Sequence, residues 1–453
     1  MLKFRWETEF KETEIGEIPK DWDVRQVKEL VDKRKKFPIV DGPFGTQLHM
    51  NEYVSKGIPV IRVINLTYEG KFSKENLVFI TEEKFEQLKR SEVNPYDLII
   101  AKTGATIGKL ALLPPEIPKG LISSSCLKVS FDKKLANPKY YLKFFMHSIG
   151  QENIKIRAEG GSTRDTINLT PFSEIPVPYP SPEEQSRIAA VLSWFDDLIE
   201  NKKRQNEILE KVTMAIFKSW FVDFEPFKDE EFVYNEELRK EIPKGWEVKP
   251  IGEVADFANG LSYKGNEKFD YYLDDSFVFI TLNNIREGGG FKTEFAWIKS
   301  DRLKERHFVK EGDLIFANTE QTKSGRLLAT PAFIVFPDDY NKDRGVYSHH
   351  ITKVSPNIPC IKPLLYLVLR YYQGNIAQTY HTGTGVWGFD LKNFKENFFI
   401  LLPPQPILQR FHSLVEPLFQ KIILNQKQIM VLRKIRDALL PKLVFGKLRV
   451  VEI

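Results

Sequence analysis

Ser181-Pro182-Glu183-Glu184-Gln185 opens the stretch whose reading decides the fold, which runs on through Ile188, Leu192, Phe195 and Ile199 to Ile216 and Trp220. Ser181 suits a helix cap, Pro182 suits the first helical position, and Glu184 stands three residues on, where a capping box would close. Beyond it, Ile188, Leu192, Phe195, Ile199, Lys202, Asn206, Leu209, Thr213 and Ile216 step by three and four. That spacing predicts one long helix with a coiled-coil seam and a polar middle. The same register returns at Phe411, Val415, Leu418, Ile422, Asn425, Ile429, Leu432, Arg436 and Leu439. The seam assigns Leu192, Phe195, Ile199 and Leu209 on one helix, with Leu418, Ile422, Asn425 and Leu432 on the other, to a helix pair within the chain. Its polar members either mark a loose, wet stretch or fix register at some cost in stability.

The second helix is part of a wider duplication. Glu17-Ile18-Pro19-Lys20-Asp21-Trp22 returns as Glu241-Ile242-Pro243-Lys244-Gly245-Trp246, and Asp97-Leu98-Ile99-Ile100-Ala101-Lys102-Thr103 as Asp313-Leu314-Ile315-Phe316-Ala317-Asn318-Thr319. Between and after these, residues 59–66 answer to 278–285, Lys128-Val129-Ser130 to Lys353-Val354-Ser355, and Gly161-Ser162-Thr163 to Gly383-Thr384-Gly385. Matches kept in order along the chain point to two copies of one module. Each copy mixes short β-branched runs, bounded by Gly and Pro, with a few helices, over 81–90, 138–148 and 363–372. The expected fold is α+β: two tandem copies of one globular domain, residues 1–178 and 222–402 (the latter with its linker). Each is followed by a long helix, over 179–221 and 403–445, with the two helices pairing within the chain. Helices of that length span roughly 60 Å.

Composition narrows the chemistry. A 453-residue chain with 42% hydrophobic residues and a net charge of +5 is an ordinary globular protein in which any anion meets local basic surface. Cys126 and Cys360 suggest neither a disulfide framework nor a metal cluster. No apolar run approaches a membrane span, so a cytoplasmic protein is expected. Asn94-Pro95-Tyr96 lacks a proline of the methyltransferase box and reads as a turn. The Gly104–Lys109 stretch has misplaced glycines for a phosphate loop, with Leu110 where Ser or Thr should be. Adjacent His349 and His350, read as strand residues, would face opposite ways. No catalytic centre, cofactor site or metal site is read.

A binding surface is read instead. The turns Asp41-Gly42-Pro43-Phe44-Gly45-Thr46-Gln47 and Glu159-Gly160-Gly161-Ser162-Thr163-Arg164 offer amides, hydroxyls and a cation suited to phosphate oxygens. Arg62 and Asn65 end one strand and Lys102 with Thr103 follows another, as Asn284 and Asn318 do in the second copy; such side chains read base edges. Arg157, Thr163, Arg164, Asn283, Arg286, Arg344, Thr384 and Trp387 complete the candidate DNA-contact set. For any one of them, a solvated strand end is an equally good account.

The order of these parts resembles the specificity subunit of type I restriction-modification systems. The carrying residues are Glu14-Ile15-Gly16-Glu17-Ile18-Pro19-Lys20-Asp21-Trp22, then 96–108, Ile175-Pro176-Val177-Pro178 and Pro182-Glu183-Glu184-Gln185-Ser186-Arg187-Ile188. The second copy departs at Pro403-Pro404-Gln405-Pro406, without the acidic capping pair, and at Asn318-Thr319-Glu320-Gln321. The resemblance implies two target-recognition domains held apart by long spacer helices that form an antiparallel coiled coil, in a non-catalytic chain that binds double-stranded DNA at an asymmetric bipartite target. It implies two methyltransferase subunits and motor-nuclease restriction subunits as partners, with no cofactor of its own. A helix-paired scaffold that binds proteins and never DNA is the alternative from a different class.

Overall fold

The computed structural model describes residues 2–158, 165–322 and 324–452. The chain divides into two units, Met1–Asp197 with Lys434–Ile453, and Leu198–Arg433.

In the first unit, Leu110–Leu112, Leu98–Ala101, Cys126–Val129 and Ile39–Asp41 form an antiparallel sheet in that order. Leu98–Ala101 is buried along its whole length, which explains its unbroken apolar run. A second sheet orders Val78–Ile80, Ile58–Ile61, Gly120–Ile122 and Glu92–Val93, the middle two being parallel. Helix Pro138–Met146 starts at Asn137, whose side chain accepts from Lys139 N, and buries Tyr140, Tyr141, Phe144 and Phe145. The short helix Glu82–Gln87 is capped by Thr81.

The second unit repeats this plan. Ala255–Asn259, Ile351–Pro356, Leu314–Ala317 and Pro331–Phe333 form the first sheet. The second sheet again holds one parallel pair, Phe277–Ile280 with Gly345–Tyr347, and gains the strand Lys268–Phe269. Helix Lys362–Tyr371 matches Pro138–Met146. Residues 228–231 are exposed, as a solvated segment should be, ahead of a hairpin of Phe232–Asn235 and Lys240–Pro243.

The long helices run Pro182–Phe217, continued by a π-helical turn Lys218–Val222, and Gln405–Val444. No residue of the expected seam is exposed. Within the second unit the pair is antiparallel: Phe411, early in its helix, packs on Trp220 and Phe221 past the end of the other, while Asn425 meets Asn206. Within the first unit Arg436 bonds Asp196 at 2.8 Å. Gly446 ends the second helix at φ 69°, a left-handed position that glycine adopts freely.

Three local expectations change. Residues 59–66 are not one strand: Ile58–Ile61 gives way to a 3-10 turn, Val63–Asn65. Ser181 Oγ does accept from Glu184 N at 3.3 Å, but Glu184 closes no capping box. Its buried carboxylate takes hydrogen bonds from Trp22 and Arg449 instead. His349 and His350 occupy a turn with ring centroids 3.8 Å apart, not opposite faces of a strand.

Candidate nucleic-acid interface

The two copies hold different polar pairs at one place in the same frame. In the first unit Lys102 leaves the end of Leu98–Ala101, its backbone N–H bonded to Ser125 O at 2.9 Å. Its ammonium sits 3.0 Å from Asp41, at the end of Ile39–Asp41. In the second unit Asn318 N bonds His350 O at 3.0 Å, and Asn318 Nδ2 lies 3.2 Å from Asn259 Oδ1. An ion pair in one copy is thus an amide pair in the other. Lys102 is mostly covered and Asn318 buried, so each is fixed by its surroundings. Asn318 Nδ2 also bonds His349 O and Thr352 Oγ1, while its Oδ1 is buried without a protein partner.

Beside the first pair, Phe44 N bonds Gln47 Oε1 at 3.0 Å and Gln47 N bonds Phe44 O at 2.8 Å. This reciprocal pair of hydrogen bonds closes a turn from which Phe44 projects 69% exposed. The sequence offers this turn for its backbone amides and assigns no role to Asp41 or Phe44, although an aromatic between two glycines was a visible signal. Beside the second pair, Thr319–Glu320 and His381–Thr382 flank Trp387–Phe389 in a three-stranded ribbon. Thr384 is exposed at its tip, whereas Trp387 is buried and stacks on His381 at 4.2 Å.

Glu320 organises the neighbouring loop. Its buried carboxylate accepts from Thr322, Ser324 and the backbone N–H groups of Arg326, Leu327 and Leu328. Burial pushes its pKa up, but those hydrogen bonds outweigh it and leave the carboxyl below its ordinary value. The glutamate that replaces Gly104 in the repeat is therefore a loop organiser.

Several candidates are spent inside the fold. Asn65 is fully buried: its oxygen accepts from Arg62 N and its nitrogen donates to Ser73 O and Glu75 O. Asn284 repeats this with Thr281, Lys292 and Glu294. Both amides hold a turn and have no face left for a base, which corrects the reading of these two as DNA contacts. Arg62 donates to Asn76 O, and Arg286 grips Glu210. Arg157 bonds Asn153 at the end of its own helix. Arg344 covers the Phe308 ring at 4.0 Å and pairs with Glu305. Asn283 is exposed, and Thr103 is half-buried. Thr163 and Arg164 lie outside the described residues.

Among the described residues no group of three or more His, Cys, Asp and Glu could hold a metal ion, and no helix is long and apolar enough to cross a membrane. His350 Nδ1 lies 2.9 Å from Thr319 Oγ1, and burial holds its pKa below the ordinary histidine value.

The family model for the type I restriction modification DNA specificity domain matches residues 19–211 and again 243–434. The type I restriction enzyme MjaIX specificity subunit of Methanocaldococcus jannaschii is 40% identical over 460 residues, covering 100% of this chain and 99% of its own. The HindI specificity subunit of Haemophilus influenzae is 19% identical over 78% of this chain and 86% of its own. The crystal structure of a type I restriction-modification S subunit from M. genitalium aligns with a TM-score of 0.54 at 18% identity. It covers 93% of this chain and 96% of that one, a likeness of fold.

Proposed function

Because the chain belongs to the type I restriction-modification DNA specificity family, we propose that it is the sequence-reading subunit, binding double-stranded DNA at an asymmetric two-part target. The observation that carries this is the exchanged pair: Lys102 with Asp41 in one copy, Asn318 with Asn259 in the other. Lys102, whose side chain stays partly uncovered, suits guanine O6 and N7. Asn318, buried with its Nδ2 protons spent, shapes the second copy's surface without touching a base. One frame with two pairs thus presents two different reading surfaces. A side chain already fixed by a partner loses little freedom on binding. Residues 1–178 would serve one half-site and 222–402 the other.

The chain itself is non-catalytic in this reading; methyltransferase and motor-nuclease subunits supply the chemistry. On the long helices, Leu198, Ile208, Val212, Leu414, Leu424 and Val431 lie outside the seam positions and are exposed. Large apolar side chains left in water at repeated helical spacing suit docking of a partner helix. They are the proposed seat of the methyltransferase.

Methylome sequencing of a host expressing the chain with its methyltransferase tests the reading. One new bipartite adenine-methylated motif is expected. Lys102→Ala should relax one half of it and Asn318→Ala the other. A wild-type methylome with no new motif, from an assembled complex, would sink the proposal.

A further inference from the structure

The two copies differ most usefully just before the first sheet. Val31 bridges Phe131 as Ala255 pairs with Pro356, and Ile39 pairs with Val129 as Phe257 pairs with Val354. Between these matched pairings the second copy has Asp256 alone, whereas the first has residues 32–38, including Lys33, Arg34, Lys35 and Lys36. The same sheet therefore closes without this basic loop, so its presence is not a demand of the fold.

The loop builds a cleft of about 410 Å³ with Lys35 and Lys36 on one side, Lys89 and Arg90 on another, and Lys128 at its base. Lys128 is 97% covered, leaving 3% of it exposed. One carboxylate serves two ammonium groups there: Asp97 lies 3.3 Å from both Lys35 Nζ and Lys128 Nζ. Ser130 Oγ accepts from the same two amines at 3.1 and 3.2 Å. Of the lining residues only Glu92 adds a negative charge. In the second copy the counterpart lysine, Lys353, donates to Phe308 O at 3.0 Å. Burial, with repulsion from Lys35 as a lesser contribution, lowers the pKa of Lys128. An anion entering the cleft would offset that repulsion.

We propose that this cleft binds a phosphate group, through Lys35, Lys36 and Arg90. Arg90 also approaches Asp41 to 3.5 Å, and Asp41 holds Lys102, so the cleft adjoins the pair proposed to read the first half-site. Resting on that reading, the favoured source is a backbone phosphate of the duplex beside the first half-site; free polyphosphate is the other source of the same chemistry.

The full-length chain, assembled with its methyltransferase, is compared with Lys35→Ala/Lys36→Ala and with a variant carrying Asp alone in place of residues 32–38. Duplex binding is measured against salt, and binding of inorganic pyrophosphate by calorimetry. For a duplex phosphate, both variants should bind DNA roughly tenfold more weakly. Their log-log salt slope should be shallower by about 0.9, with an unchanged methylated motif. An unchanged slope, with pyrophosphate bound by wild type and lost in both variants, assigns the cleft to free polyphosphate. If neither measurement moves, the cleft is not a phosphate site. Should wild type retain no sequence-dependent DNA binding, the specificity reading falls, and the pyrophosphate arm still decides the cleft.

Discussion

A Cβ built on Gly42 would lie 2.0 Å from Ser123 O, whereas one on Gly45 meets nothing within 4 Å. Gly42 N also bonds Cys126 O, so the turn crosses the neighbouring strand backbone to backbone. Gly42→Ala must push strands apart and should cost about 1–3 kcal/mol or more, while Gly45→Ala stays within about 0.5 kcal/mol of wild type. Thermal unfolding checks this, and equal transitions for the two variants would refute it. Gly260 repeats the close approach, its Cβ falling 2.1 Å from Tyr347 O. From sequence the turn was legible as a feature but not for its reason: glycines there look like amides freed for phosphate. Asn65 misleads in the same way. A polar residue closing a β-branched run looks like a displayed side chain, yet the chain turns there and the amide is consumed by Arg62, Ser73 and Glu75.

Elements formed by local periodicity were far easier to read. The three-four spacing identifies both long helices and a seam without an exposed member, because burial of one helical face writes itself directly into sequence. What the spacing leaves open is the purpose of its polar members. Asn425 is fully buried, with Nδ2 2.8 Å from Asn206 Oδ1, and Asn206 Nδ2 reaches Ile422 O at 3.4 Å. The pair is bonded, which favours register over looseness, although Asn425 Oδ1 has no protein partner. Asn425→Ala strands the Asn206 oxygen and should destabilise the Leu198–Arg433 unit by about 1–3 kcal/mol. Replacing both with Leu should be nearly neutral or stabilising, since no polar atom is left unpaired. A double-mutant cycle by chemical denaturation measures the coupling. Additive single effects would mean that the two amides do not act together.

At the scale of the whole molecule, the contacts least visible in sequence are those that close the first unit with the chain's last strand. Leu448–Glu452 pairs antiparallel with Leu2–Trp6, and Leu448 and Val450 are buried. Arg449 bonds Glu7, Asp21 and Glu184 at once, the last 265 residues away in sequence. No local period announces a partner at that distance, so Glu184 looked like a helix cap. Burying Leu448 and Val450 contributes about 1.5–3 kcal/mol each. Removing residues 448–452 should therefore lower the unfolding transition of the first unit and leave that of the second in place. Arg449→Leu strands the buried Glu184 and should do the same by a different route. Acid should mimic it. A backbone hydrogen bond from Thr8 leads the causes that lower the pKa of Glu7, and the Arg449 hydrogen bond leads for Asp21. Groups depressed in the folded state stabilise above their ordinary pKa, about 4, and lose that contribution as pH falls through the lower folded values. Hydrogen exchange of the strand at pH 7 and at pH 3 reads this directly: amides of 448–452 should lose protection at pH 3 in wild type. In Arg449→Leu they should be poorly protected already at pH 7, with little further loss on acidification. Equal protection of that strand in wild type at both pH values would show that the charge cluster does not hold it.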